Sequence, residues 1–283
     1  GYFSNGIPVV TDGIEIKELI CKSYSYDCIL GDANSDVKVN VKDATEIQKS
    51  LAGLTEEFDY IDAFLYTDNP PLISIADFDR EKGTVTIIVQ AVGKTTRDMQ
   101  KLRTGDSILD FAGPLGMPTP LEGKKKVAVI GGGLGTAIAY PQAKKLKALG
   151  ASVTVITGFR SEDFIILKDE MQAVADKLII TTDDGSNGHK GFVTQALAKK
   201  LETGEKYDEV IAIGPLPMMR AVCDLTKPYG VKTIVSMNPI MIDGTGMCGG
   251  CRVTVGGQVK FACVDGPEFD GHQVDFAELM SRN

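Results

Sequence analysis

Three cysteines near the C-terminus have the residue type and spacing of a metal site. Cys248, Cys251 and Cys263 follow the pattern C-x2-C-x11-C. The glycines set among them are Gly244, Gly246, Gly249 and Gly250. Thiolates are the soft ligands that iron–sulfur and zinc sites use, and glycines let backbone amides point at a cluster. The pattern therefore predicts a bound metal.

A carboxylate just before these cysteines supplies a fourth ligand. Asp243, Cys248 and Cys251 reproduce the C-x4-C-x2-C spacing of plant-type ferredoxins, with aspartate in place of the first cysteine. This ligand set favours a 2Fe-2S cluster. The alternatives are zinc bound by the three cysteines, with His272 as a further candidate ligand, and a disulfide that leaves one thiol over. Cys223 lies in a predicted helix, where we expect a buried structural thiol.

A glycine-rich turn predicts a phosphate site. An apolar strand at residues 127–130 leads directly into residues 131–137 (GGGLGTA), and a helical pattern follows. Glycines permit the tight turn and close approach of backbone amides, and the helix N-terminus offers positive charge to a pyrophosphate. The candidate dinucleotide-binding residues here are Gly131, Gly132, Gly133, Gly135 and Thr136. The alternative is an ordinary strand-to-helix turn.

A second loop is expected at the same edge of the sheet. Gly214, Pro215 and Met218 follow a later strand and precede a helix, and ligands in open α/β sheets bind at this carboxyl edge. The alternative for Met218 is ordinary core packing. The backbone of Gly214 is the stronger candidate.

Two further segments at this edge each have two possible roles. Arg160 follows the second strand, where it would meet the 2′-phosphate of NADP or form an exposed ion pair, so the choice between NAD and NADP stays undecided. Residues 183–191 (DDGSNGHKG) are too polar for a core. They form either a segment that closes over substrate or a solvated turn.

Alternating strand and helix patterns predict the architecture that positions these loops. Strands are expected at 84–89, 127–130, 153–156, 178–181, 210–213 and 232–235. Helices are expected from the glycine turn to 149 and at 163–176, 191–201 and 218–225. Such alternation predicts an α/β domain whose parallel sheet is covered by helices on both faces.

Bulk composition narrows the classes of partner. The chain has 283 residues, 43% of them hydrophobic, which suggests roughly two compact domains. A net charge of -8 argues against nucleic acid and anionic membranes as partners. The apolar runs are too short to span a bilayer, so we expect no membrane segment. Metal-binding cysteines favour a reducing, cytoplasmic location.

Taken together, residues 71–283 resemble the small flavin and iron–sulfur subunit of NADH-dependent ferredoxin:NADP oxidoreductase. The segments that carry the resemblance are 75–80 (IADFDR), 92–96 (VGKTT), 113–116 (GPLG), 131–137, 214–219 (GPLPMM) and 243–251 (DGTGMCGGC) with Cys263. The electron transfer subunit of dihydroorotate dehydrogenase is a related family. It differs mainly in carrying cysteine where Asp243 stands.

The resemblance implies a ferredoxin-reductase-like α/β fold. Its parts would be a partial flavin-binding β-barrel at 71–122, a parallel-sheet NAD(P)-binding domain at 123–240 and a 2Fe-2S segment at 241–283, with 1–70 unassigned. It implies FAD contacts at Ser74, Gly93, Thr95, Thr96 and Gly113. The alternatives are a helix cap for Thr95 and a strand surface position for Ser74. The resemblance also implies electron transfer between NAD(P)H, FAD and the cluster, toward a larger subunit of a heterodimer and through that complex to ferredoxin. No side chain is expected to act as acid or base.

The N-terminal part departs from that family. Pro70 stands where the family has a flavin-phosphate-binding arginine, and no earlier barrel strand is recognisable. Residues 31–51 instead resemble one calcium-binding repeat of a dockerin, with oxygen ligands suited to calcium. The candidate calcium ligands are Asp32, Asn34, Asp36, Asn40 and Asp43. The alternatives here are a calcium-dependent protein that contacts a cohesin, and a simple Asx-rich turn before a helix.

Overall fold

The structure is a computed structural model that describes residues 10–15, 75–79, 84–104, 106–112, 116–242 and 244–282. Its first elements are β1 (Val10–Glu15), β2 (Ile75–Asp79), β3 (Thr84–Ile87), α1 (Lys94–Met99) and β4 (Ser107–Ala112). β2 pairs antiparallel with β3, and β1 pairs antiparallel with β4. The sequence analysis recognised no strand before residue 70. β1 escaped it because glycine and aspartate, both rare in strands, interrupt its apolar pattern.

A six-stranded sheet forms the centre of the molecule. Five of its strands alternate with helices along the chain. In order these elements are β5 (Lys126–Gly132), α2 (Gly135–Ala148), β6 (Ser152–Phe159), α3 (Lys168–Val174), β7 (Lys177–Thr182), α4 (Val193–Glu202), β8 (Glu209–Ile213), α5 (Leu216–Thr226) and β9 (Lys232–Ser236). These five strands run parallel in the order β9-β8-β5-β6-β7. The predicted strand and helix alternation is confirmed. The carboxyl ends of all five strands meet at one edge.

Two apolar cores cover the two faces of this sheet. On one face α2 and α3 pack Ala143, Leu146 and Met171 against buried strand residues. On the other face α4 and α5 do the same with Leu197 and Val222. Helices on both faces explain why the strands are almost continuously apolar rather than alternating.

One predicted helix is broken in the structure. The pattern predicted a single helix over 163–176, but a 3-10 turn covers Glu162–Phe164 and α3 begins only at Lys168. Between them Leu167 has a φ of 53°, in the left-handed region. A residue in that conformation cannot continue a right-handed helix, so the helix starts after it.

The C-terminal segment is joined to the sheet. It contains β10 (Arg252–Val255), β11 (Gln258–Phe261), α6 (Ala262–Asp265), β12 (Glu268–Asp270) and α7 (Phe276–Met280). β10 and β11 form a hairpin, and β12 pairs antiparallel with β9 as the sixth strand of the central sheet. The expected boundary at residue 240 therefore does not separate two independent sheets.

Ion pairs stabilise the amino edge of the sheet. The fully buried carboxylate of Glu209 pairs with the ammonium groups of Lys124 and Lys232. Nearby, a hydrogen bond from Lys126 lowers the pKa of Glu205 to about 2. This edge carries structural contacts, whereas the glycine loops lie at the opposite one. Among the helices that the structure describes, none is long and apolar enough to cross a bilayer.

Candidate functional site

The two glycine loops meet at the carboxyl edge of the sheet. Gly131 lies between Thr157 of β6 and Ile213 of β8. A Cβ atom built on Gly132 would lie 2.4 Å from the Met218 sulfur, and one on Gly135 would lie 2.3 Å from the Ile213 carbonyl oxygen. Side chains are excluded from both positions. The structure therefore brings the two predicted loops into direct contact.

Thr136 presents an unused hydroxyl at this edge. The residue is fully buried in the first turn of α2, and its Oγ1 atom has no hydrogen-bond partner in the structure. Oγ1 would lie only 2.8 Å from a Cβ atom on Gly131. A buried hydroxyl without a partner is costly, so a bound acceptor would satisfy it. A phosphate oxygen of a dinucleotide fits this donor and the surrounding glycines.

Arg160 and the polar loop 183–191 lie beside these glycines. Arg160 is exposed directly after β6, and the Gly133 amide donates to the Gly158 carbonyl in the neighbouring strand. The backbone amide of Asp184 donates to the Arg160 carbonyl at 3.3 Å. Hydrogen bonds from the backbone and hydroxyl of Ser186 lower the pKa of the Asp184 carboxyl. The loop is thus held against the end of β6 through its backbone.

On the expected flavin side, the structure describes the start of α1. Gly93 is the N-cap residue, and its amide and that of Val92 both donate to the Thr96 hydroxyl at 2.9 and 3.0 Å. The Thr96 hydroxyl in turn donates to the Gly93 carbonyl. Because these bonds occupy its hydroxyl, Thr96 acts here as a helix cap. The Thr95 side chain lies outside the described part.

A polar contact joins this side to the central sheet. Asp77 of β2 accepts two hydrogen bonds from the Lys144 ammonium of α2, at 2.7 and 2.8 Å. The neighbouring Ala76 is buried. Burial, followed by the negative charge of Asp77, raises the pKa of Tyr140 on the same helix. The predicted IADFDR segment therefore packs on the helix that follows the glycine turn.

The cysteine segment brings two of its three thiols together. The sulfur atoms of Cys251 and Cys263 lie 3.2 Å apart, and both side chains belong to the core that α5 helps to form. Two thiolates on one tetrahedral metal, with bonds of about 2.3 Å, are separated by roughly 3.8 Å. The pair thus needs to widen only slightly to hold a metal. No disulfide joins the described cysteines.

Cys248 lies on an exposed loop, three positions before Cys251 in the sequence. The Gly250 amide donates to the Cys248 sulfur at 3.4 Å, and Gly246 and Gly249 have positive φ angles of 84° and 66°. Such amides tune the reduction potential of sulfur-ligated iron. Within the described residues no three His, Cys, Asp or Glu side chains are grouped for metal binding. Asp243, the proposed fourth ligand, falls outside them.

His272 lies beside two threonines, one at the end of α5 and one in β9. Its Nε2 atom lies 3.1 Å from the Thr226 hydroxyl, which lies 2.6 Å from the Thr233 hydroxyl. This contact gives no support to His272 as a zinc ligand. Cys223 is buried nearby in α5 as predicted, and burial raises its pKa to about 12. Burial thus disfavours the thiolate form of Cys223.

Sequence analysis missed one acidic residue at the carboxyl edge. Glu268 opens β12 opposite Ser236, the last residue of β9. Burial raises the pKa of its carboxyl group. No periodicity marks this position, because the strand has only three residues. The single signal available was an acidic residue directly after a Gly-Pro pair.

Several predicted site residues lie outside the described residues. They are Ser74 and Gly113 of the flavin set, Asp243 of the cluster set, and the calcium candidates Asp32, Asn34, Asp36, Asn40 and Asp43. These assignments remain predictions.

Comparison with known proteins agrees with this geometry. Residues 129–224 match the oxidoreductase NAD-binding domain, and residues 238–275 match the iron–sulfur cluster binding domain of dihydroorotate dehydrogenase B. The second range spans all four proposed cluster ligands. The matches give no support to calcium or cohesin binding by the N-terminal part.

Several electron transfer subunits and oxidoreductases are similar to this chain over most of its length. A homologue of the dihydroorotate dehydrogenase B electron transfer subunit from Thermotoga maritima is 48% identical, over 74% of each chain. The electron transfer subunit from Caldanaerobacter subterraneus is 34% identical over 72% of this chain and 79% of the relative. A solved NADH-dependent reduced ferredoxin-NADP oxidoreductase is 48% identical, with a TM-score of 0.70 over 74% of this chain and 75% of that chain. The predicted ferredoxin-reductase-like fold is confirmed.

Proposed function

Because the chain belongs to the family of dihydroorotate dehydrogenase B electron transfer subunits and their homologues, we propose that it carries electrons between NAD(P)H, FAD and a 2Fe-2S cluster. The electrons pass to a larger oxidoreductase subunit. The observation that carries the proposal is the approach of Cys251 and Cys263 within a core that the dinucleotide-binding sheet also forms. The cluster segment and the dinucleotide-binding sheet thus share one apolar core.

The dinucleotide is held by the loops at the carboxyl edge. Gly131, Gly132 and Gly135 let the turn pack closely on its neighbours, Gly133 has open space beside it for the pyrophosphate, and the Thr136 hydroxyl donates to that group. Gly214 and Pro215 form the wall opposite, and Arg160 lies beside the adenosine ribose. The dinucleotide supplies a hydride when bound. The protein's part is to orient it and to exclude water.

The cluster is held by Asp243, Cys248, Cys251 and Cys263. Cys251 and Cys263 are preorganised, because the β10–β11 hairpin fixes the residues that flank them. Cys248 completes the site from its glycine-rich loop, and the Gly250 amide stabilises the charge on its sulfur. The cluster, when bound, accepts single electrons.

FAD is held on the side of β2 to β4. The residues that open α1, Gly93, Thr95 and Thr96, lie near its phosphates together with Gly113, and Ser74 contacts the flavin. Flavin converts a two-electron donor into single-electron steps. The contact between Lys144 and Asp77 keeps this side against α2.

Among the relatives, the NADH-dependent ferredoxin-NADP oxidoreductase is the favoured type. An aspartate at position 243 separates the chain from dihydroorotate dehydrogenase electron transfer subunits, which carry cysteine there. Ferredoxin would then be reached through the larger subunit. The dihydroorotate dehydrogenase type is the alternative within the family.

Anaerobic purification of the full chain with its larger subunit tests this function. We expect about one FAD per chain and a visible absorption that NADH or NADPH bleaches within seconds. The Cys263→Ser variant should keep the flavin band and lose the cluster band. A colourless preparation, or colour that neither nucleotide bleaches, would contradict the proposal.

A further inference from the structure

Three parts of the chain meet around a short turn that precedes β12. The Met117 amide donates to the Gly266 carbonyl at 2.6 Å, and the Met237 amide donates to the Pro267 carbonyl at 2.9 Å. Gly116 approaches so closely that a Cβ atom would lie 2.3 Å from the Gly266 oxygen. Residues 116–119 follow the expected flavin strand β4, and the turn follows the cluster cysteine Cys263 by three residues. The turn therefore lies between the flavin side and the cluster segment.

Glu268, directly after this turn, connects the same three parts through its side chain. Its Oε1 atom accepts from Gln142 Nε2 of α2 at 3.1 Å and from Ser236 Oγ of β9 at 3.2 Å. The Thr119 side chain is also hydrogen-bonded to the carboxyl group. Three donor-bearing side chains from three separate segments thus converge on one carboxyl group.

Burial raises the pKa of Glu268, whereas the hydrogen bonds from its uncharged neighbours act in the opposite direction and only partly offset it. The groups that face it are the amide of Gln142 and the hydroxyls of Ser236 and Thr119, none of which carries a charge. Gln142 is itself buried, and its Oε1 atom has no partner. A buried carboxylate without a cation is costly, whereas a neutral acid accepts through Oε1 and donates through Oε2.

We propose that Glu268 is a positioning residue for electron transfer, which fixes the segment leaving the flavin side to α2 and to the end of β9. This role rests on the proposed function, since it sets the flavin side, the dinucleotide edge and the cluster segment at a constant spacing. Glu268 pairs with Ser236, and the preceding residue of β9, Val235, pairs with Ala212 of β8, two residues before the Gly214 loop. We call the contacts of Glu268 with Thr119, Gln142 and Ser236 the junction. Movement of this junction would displace the flavin side from the nicotinamide edge without opening the phosphate loops.

Amide hydrogen exchange of the full chain tests the junction without any redox turnover. In Glu268→Ala we expect the Met117 and Met237 amides to exchange about tenfold faster or more, while amides of β5 and β8 stay protected. Glu268→Gln should restore protection, because its amide accepts and donates like the neutral acid. Glu209→Gln, a buried carboxylate at the opposite edge, is the matched control and should leave both amides unchanged.

Steady-state kinetics distinguish a positioning role of Glu268 from a general effect on stability. In the assembled enzyme, Glu268→Ala should lower kcat for NADH-driven reduction about tenfold, with KM for NADH unchanged, and Glu268→Gln should recover it. If Glu268→Ala does not fold, Thr119→Val removes the flavin-side donor alone and should speed exchange at Met117 but not at Met237. Unchanged Met117 exchange in both variants, or a Glu268→Gln as impaired as Glu268→Ala, would overturn the proposal. An enzyme that NADH never reduces would refute the proposed function and leave the exchange result standing.

Discussion

Cys251 and Cys263 hold their sulfur atoms 3.2 Å apart across twelve positions of sequence. The β10–β11 hairpin accounts for this approach. Arg252 pairs with Phe261, and the Ala262 amide donates to the Cys251 carbonyl at 3.0 Å, so the residues at the open end of the hairpin are fixed together. The sulfur atoms are too far apart for a disulfide bond, which is about 2.05 Å long. They form a preorganised pair of metal ligands.

Replacing either member of this pair should remove the cluster. We expect Cys251→Ser and Cys263→Ser to lose most of their iron, because a hydroxyl is a poor substitute for a thiolate. Iron per chain after anaerobic purification is the measurement. Cys223→Ala is the matched control, since this buried thiol lies in α5 and is not one of the proposed ligands, and the variant should retain its iron. Full iron in Cys263→Ser would refute the ligand assignment.

The Thr136→Val substitution should weaken NADH binding without destabilising the fold. The valine keeps the shape of the buried side chain and removes a hydroxyl that lacks a partner, so the unfolding free energy of the ligand-free chain should not fall. NADH affinity should weaken about tenfold, because a hydrogen bond to phosphate is lost. Calorimetric titration with NADH measures this.

Thr226→Val provides the contrast to Thr136→Val. The Thr226 hydroxyl, at the end of α5, contacts the side chains of Thr233 and His272. Its loss should destabilise the chain and leave NADH affinity unchanged. Equal NADH affinity in Thr136→Val and wild type would exclude the hydroxyl from the site.

Glu268 should make stability depend on pH. Burial raises its pKa in the folded chain above the ordinary 4.5, so the folded state binds the proton more tightly than the unfolded state. Its contribution is then fully present below pH 4.5 and is lost as pH rises through the raised folded pKa. Glu268→Gln carries no such proton. The unfolding free energy of Glu268→Gln relative to wild type, from urea titrations, should therefore increase from pH 4.5 upward, and a constant difference would contradict the neutral acid.

The contact between Lys144 and Asp77 should be measurable but modest. A double-mutant cycle with Lys144→Ala and Asp77→Ala should give a coupling free energy of about 0.5–1 kcal/mol, because both side chains are partly exposed. The coupling should shrink in high salt. The helical pair Lys101 and Asp98 is the control and should couple by about 0.3 kcal/mol. Zero coupling for Lys144 and Asp77 would remove the polar link between β2 and α2.

The nicotinamide domain was predictable because its signals are local. Strands such as β5 and β8 are continuous apolar runs that end in glycine, and the loops that follow them need little tertiary information. The cysteine spacing was equally local. The contact between the Gly132 and Gly214 loops followed from the rule that parallel strands share a carboxyl edge.

The remaining features depend on tertiary pairing. β12 has three residues and is a strand only because β9 offers it a partner. Leu167 breaks a predicted helix through a backbone conformation that no apolar pattern reveals. Glu268 accepts a hydrogen bond from Gln142, which lies 126 positions earlier in the sequence. Contacts over such separations leave no periodic trace in a single sequence.

Metal and sulfide analysis of the anaerobically purified chain tests the central claim most directly. An electron carrier with Asp243, Cys248, Cys251 and Cys263 as ligands should contain about two iron atoms and two acid-labile sulfides per chain, with little zinc. About one zinc atom per chain, without iron or sulfide, would contradict the account.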